Sequence, residues 1–158
     1  MNRLTCTLAT SLLAVVGATA SAQEPAIEFL NSGKIVPATL PFSEAVRVGD
    51  TLYLSGQVGI KPGTLELVPG GIRAEARQTL ANIRTTLEAH GYSMRDVVKC
   101  TVMLADIAEW ATFNEVYKTY FAPPYPARSA LGANGLAIGA RVEVECLAVT
   151  ARSAAARP

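Results

Sequence analysis

Between residues 141 and 150 the chain reads RVEVECLAVT, in which Val142, Val144, Cys146 and Ala148 alternate with Glu143, Glu145, Leu147 and Val149. Alternation with period two is the mark of a strand with one face on a core. Val98, Cys100, Val102 and Leu104 alternate in the same way with Lys99, Thr101 and Met103, predicting a second strand. Two helical periods separate these strands from the rest. Over Arg73–His90 the apolar positions Ala76, Leu80, Ile83 and Leu87 recur at helical spacing, and Gly91 is placed to end that helix. Asp106 and Glu109 fit the cap and third position of a second helix with the stripe Trp110, Phe113, Tyr117 and Tyr120, stopped by Pro123 and Pro124.

Shorter signals complete the order. Val46–Val48 and Thr51–Leu54 flank Gly49 and Asp50 as a hairpin. Ser93–Asp96 is a capping-box-like turn, and Ala127–Leu131 can form a short strand. The result is ββ(β)-α-β-α-β-β. Two amphipathic helices can cover one face of one mixed sheet, which makes an α+β two-layer sandwich. Leu147 and Val149 then lie on the uncovered face beside two glutamates, so that face is expected to pack on another subunit.

The N-terminus has a different character. Arg3 precedes a mostly apolar run from Leu4 to Val16, and Ala20-Ser21-Ala22 follows as a cleavage site. That layout predicts a signal peptide over residues 1–22 and a periplasmic or secreted mature protein with no membrane attachment after cleavage. Residues 23–152 are then one domain, and the alanine-rich residues 153–158 are expected to fray. Cleavage removes one of 14 basic residues and none of the 13 acidic ones, leaving 13 of each. Such a balance offers no footprint for nucleic acid or an anionic membrane.

The chemistry-bearing residues are few. Cys100 and Cys146 match no zinc or redox spacing, and their apolar strand positions suggest free buried thiols. The single histidine, His90, falls at a helix end and is expected to be solvated. No nucleophile–histidine pair can be assembled from the other residues, no cluster has metal-ligand spacing, and no phosphate loop is present, so neither metal nor organic cofactor is expected. What remains is Arg128, isolated in PYPARSALGANG, with Glu143, Glu145 and the polar residues Ser55, Gln57, Asn114 and Ser129 at element ends. Arginine can hold a carboxylate bidentately and glutamate can position or activate water. An internal ion pair between Arg128 and one glutamate is the competing explanation.

Several segments resemble the RidA/YjgF family. They are Ser55-Gly56-Gln57 after a strand, Gln78–Leu87, Asp96–Val102, Phe113–Tyr117 with Phe121, Pro126-Ala127-Arg128-Ser129, and Val142-Glu143-Val144-Glu145, in family order over roughly residues 41–149. The resemblance implies a chorismate-mutase-like homotrimer with sites between subunits. It also implies a 2-iminobutanoate/2-iminopropanoate deaminase type of activity, hydrolysing 2-enamino or 2-imino acids to 2-oxo acids and ammonia without a cofactor. Arg128 corresponds to the family's carboxylate clamp and Glu143 to the residue that orients water. Ser55, Gly56 and Asn114 match cleft residues. Ala130 stands where the family often has cysteine, and Phe42 where deaminating members carry tyrosine. The alternatives are a binding or chaperone-like module on the same cleft and, less in keeping with the charge and the lack of an acid–base histidine, a ribonuclease.

Overall fold

The computed structural model describes residues 24–150. The expected signal peptide, residues 1–22, and the expected frayed tail, residues 153–158, lie outside the described residues.

Seven strands make one mixed sheet: β1 (Ile27–Leu30), β2 (Ala45–Val48), β3 (Thr51–Leu54), β4 (Gln57–Val58), β5 (Val97–Leu104), β6 (Ala127–Gly132) and β7 (Val142–Val149). The order is β1-β2-β3-β7-β5-β6, with β4 also paired to β7. Only β5 and β6 run parallel, because the connection between them carries a helix across the sheet. The alternating 141–150 segment is the central strand, so Val142, Val144, Cys146 and Ala148 are all buried.

Both helices cover one face, as the α+β sandwich requires. Helix α1 (Gly71–Ala89) buries Ala76, Leu80, Ile83 and Leu87, the residues picked out by its period. It ends on a Schellman turn: Gly91 N–H donates to Glu88 O, Tyr92 N–H donates to Leu87 O, and Gly91 takes φ 82°. Ser93 and Asp96 form the expected capping box, around a 3₁₀ turn. Asp106 caps a 3₁₀ turn at Ile107–Glu109 that runs into α2 (Trp110–Tyr117). Phe113 and Val116 of α2 join Leu52, Val102, Leu104 and the α1 stripe in one core. Each fully buried side chain of this size contributes about 1.5–3 kcal/mol.

Four expectations are corrected. Cys100 and Cys146 are not free thiols: they stand directly opposite each other on β5 and β7, with Cα atoms 4.1 Å apart, and form a disulfide. Periodicity showed both as core-facing but not that their strands are neighbours. His90 is not solvated, since its side chain is only 9% exposed and its Nε2 lies 3.8 Å from the buried Glu44 carboxylate. Burial pushes its pKa down; Glu44 opposes that shift, and Arg47 and Lys34 add to it. Val98 is exposed and Val97 is buried, because a register shift between Val97 and Lys99 inserts an extra residue into β5. Trp110 is 44% exposed rather than in the core stripe. Strand β1 went unrecognised because a four-residue segment is too short to show a period, and the bracketed third strand of the expected order falls at β4.

Candidate active site

Glu143 is the first residue of β7 whose side chain points away from the helices. The start of β7 is held from several sides. Glu75 of α1 accepts the Arg141 N–H at 2.8 Å, and the Arg141 guanidinium forms a bidentate pair with Glu109. Opposite, Asn82 of α1 donates to Val58 O and Ile60 O, at 3.1 and 3.0 Å, which fixes β4 against β7. The Glu143 carboxylate then lies on the backbone of Gly56. A Cβ at position 56 would overlap Glu143 Oε1 and come within 2.9 Å of its Cδ, so any larger residue there would displace the Glu143 carboxylate. Burial raises the Glu143 pKa above the ordinary value of 4.5, and the neighbouring Glu145 charge raises it further.

A pocket of about 460 Å³ opens beside this carboxylate, lined by Phe42, Ser55, Gly56, Gln57 and Glu143 together with Val36, Leu40, Leu65 and Ile138. Ser55 is fixed at its edge: its N–H donates to Glu44 O and its hydroxyl donates to Ser43 O at 2.7 Å. Phe42 is half exposed there.

Arg128 lies in a second pocket, of about 310 Å³, lined by Asn114, Tyr117, Lys118, Tyr125 and Pro126. Its guanidinium carbon sits 4.6 Å from the Tyr117 ring centroid and 5.9 Å from that of Trp110. Among the described residues it has no ion-pair or hydrogen-bonding partner. The internal pair with Glu143 or Glu145 is therefore not formed within this chain. The two aromatic rings support the guanidinium face while leaving its N–H edge unengaged, an arrangement that suits a carboxylate. Tyr117 is buried, and its hydroxyl has no partner among the described residues.

The expected site residues thus fall into two groups. Phe42, Ser55, Gly56 and Glu143 share one pocket, and Asn114 and Arg128 share the other. Ala130 lies two residues beyond Arg128 on β6, exposed, and lines neither. Arg128 is in register with Cys100, and Cys100 with Cys146. Glu143 is three residues from Cys146, an odd offset that turns its side chain to the opposite face. Two strand spacings and three residues along the strand separate the positions by roughly 10 Å in each direction. Trp110 and Tyr117, seven residues apart on one helix, are the contacts of Arg128 that the sequence did not reveal. Their spacing placed them on one face, but not beside an arginine on an edge strand.

Among the described residues, no group of three histidine, cysteine, aspartate or glutamate side chains is placed to hold a metal ion. No helix of the described residues is long and apolar enough to cross a membrane.

Residues 33–150 match the family described as endoribonuclease L-PSP. The chain is 46% identical over 122 residues to the 2-iminobutanoate/2-iminopropanoate deaminase of Bos taurus, covering 77% of this chain and 89% of the bovine one. Among solved structures it is similar to RidA from the Antarctic bacterium Psychrobacter sp. PAMC 21119, with TM-score 0.73, 40% identity, and coverage of 78% of this chain and 99% of that one. It is also similar to E. coli TdcF with bound serine, with TM-score 0.72, 32% identity, and coverage of 78% and 98%.

Proposed function

Given that the chain belongs to the RidA/YjgF family, we propose that it hydrolyses reactive 2-imino acids, the tautomers of 2-enamino acids, to 2-oxo acids and ammonia. The observation that carries this reading is the unpaired guanidinium of Arg128, supported on aromatic rings and facing a pocket. A structural arginine that is itself half-buried would be expected to have a carboxylate partner. The substrate carboxylate supplies one, and each charge-assisted bond contributes about 1.5–3 kcal/mol.

Glu143 does the second part of the work. Burial, and then the neighbouring Glu145 charge, raise its pKa, which makes it a better proton acceptor than an ordinary carboxylate. It orients water onto the imine carbon and takes a proton from it. The C–O bond forms as the C=N π pair moves to nitrogen. Glu143 returns that proton to the nitrogen, and as the tetrahedral adduct's hydroxyl proton also passes to nitrogen the C–N bond breaks, releasing ammonia and leaving the 2-oxo acid. The imine is already electrophilic, so the demand on the protein is mainly orientation.

Both groups serve one substrate if the Arg128 pocket of one copy meets the Glu143 pocket of the next. Two features support a homotrimer with shared sites: the separation of the two groups within one chain, and Leu147 and Val149 on the uncovered sheet face. Export to an oxidising compartment is supported by the Cys100–Cys146 disulfide and by Ala20-Ser21-Ala22. Intact mass of protein from an extracytoplasmic fraction tests export, with Gln23 expected as the first residue.

The activity is tested by generating 2-imino acids in situ and following ammonia release with and without the protein. Faster release than the spontaneous rate is expected. A spontaneous rate together with measurable binding of 2-oxo acids would instead favour a carboxylate-binding module, the reading to which Phe42, with no hydroxyl, lends weight.

A further inference from the structure

Within one chain, the pocket beside Glu143 is lined mostly by apolar side chains. At about 460 Å³ it falls within the range, about 300–1,000 Å³, of pockets that hold drug-sized ligands. Away from the carboxylate the walls are Val36, Leu40, Phe42, Leu65 and Ile138.

Ile138 is the most informative of these. It sits in a 3₁₀ turn with φ 52° and ψ 19°, a left-handed conformation that β-branched residues rarely adopt. It is the only residue other than glycine with positive φ among the described residues. Its side chain is 54% exposed, so core packing does not compensate for that backbone. Leu65, from another loop that lines the pocket, is 52% exposed. Two large aliphatic side chains held at one pocket wall without core partners are suited to a ligand that brings its own apolar surface.

We infer that Leu65 and Ile138, with Phe42, form a side-chain subsite that selects 2-imino acids carrying a large aliphatic or aromatic side chain. This rests on the deaminase reading and narrows its substrate class. It also defines the supplying reaction. β-Elimination requires a leaving group on the β-carbon and yields small enamines, whereas leucine or phenylalanine reaches the imine only by oxidation of its α-amine. The supplier is then an amino-acid oxidase or dehydrogenase that passes two electrons to its own acceptor.

The test compares kcat/KM for imines generated in situ from alanine, leucine and phenylalanine by an amino-acid oxidase. The leucine-derived imine is expected to exceed the alanine-derived one by at least about tenfold, and Ile138→Gly and Leu65→Ser should each lower that ratio by about tenfold. Glycine adopts positive φ freely, so the Tm of Ile138→Gly should not fall. A ratio near one in the unmodified protein, or a ratio that neither variant moves, overturns the subsite while leaving deamination standing. A lower Tm for Ile138→Gly with an unchanged ratio assigns Ile138 to the turn and overturns its role here. No acceleration with any imine overturns the deaminase reading itself, and the subsite with it.

Discussion

Arg128 and Glu143 point to opposite faces of the same sheet, on strands separated by β5. No imino acid small enough for either pocket spans them within one chain. If both act on one substrate, they do so from different copies.

Mixing inactive variants checks this directly. The Arg128→Ala and Glu143→Gln proteins should each lack activity. Unfolded and reassembled together in equal amounts, they should recover about a quarter of the unmodified rate, because random assembly pairs an intact Arg128 with a neighbour's intact Glu143 at one interface in four. No recovery from a properly reassembled mixture would mean that the two residues serve separate sites.

Arg128 itself should matter for turnover and little for folding. Its contacts are the faces of Tyr117 and Trp110, which contribute about 0.5–2 kcal/mol, against the about 3–5 kcal/mol lost when a buried ion pair is broken. Arg128→Ala and Arg128→Lys should therefore melt close to the parent yet lose at least about a hundredfold in kcat/KM, since two charge-assisted bonds are removed or misaligned. A large drop in Tm with near-normal turnover would assign Arg128 to the fold.

Glu143 should show the opposite balance of stability and activity. Its folded pKa lies above 4.5, with burial the first cause and Glu145 the second, so the native state binds its proton more tightly than the unfolded chain does. The associated stability is complete below about pH 4 and is lost as pH rises through the raised pKa. At pH 7 Glu143→Gln should therefore raise Tm while lowering turnover by about 10²–10⁴-fold, and the parent's turnover should rise with pH through that same pKa. A Glu143→Gln protein that is less stable, or still active, would count against the assigned role.

The disulfide provides a further check. Without reductant, alkylation in denaturant should modify neither Cys100 nor Cys146. Reduction, or the double change Cys100→Ala and Cys146→Ala, should cost about 2–4 kcal/mol of stability. Equal Tm with and without reductant, or full alkylation of unreduced protein, would show that the bond is absent in solution.

Local periodicity carried most of the fold into view, and failed where partners come from elsewhere in the chain. Val142–Val149 and the α1 stripe could be read because each records its own burial every two or every three to four residues. Val98 was misplaced because a register shift is a property of two strands, not one. His90 was misplaced because the carboxylate beside it comes from Glu44, on the segment leading into β2. The same limit divides the site. Glu143 and Gly56 were legible through the family resemblance, and Arg128 through its isolation in a neutral segment. The rings beneath Arg128, and the walls at Leu65 and Ile138, depend on which loops and helix the fold brings alongside.

The contact between Gly56 and Glu143 bears on how related sequences can be sorted. Since a larger side chain at position 56 would displace that carboxylate, positions 56 and 143 are expected to drift together rather than independently. A homologue that keeps the glutamate but replaces the glycine has had its carboxylate pushed out of place, even though the glutamate is still spelled in its sequence. Such a chain belongs among candidate binders. The pair, read jointly, is a better filter for assigning activity across genomes than the glutamate alone.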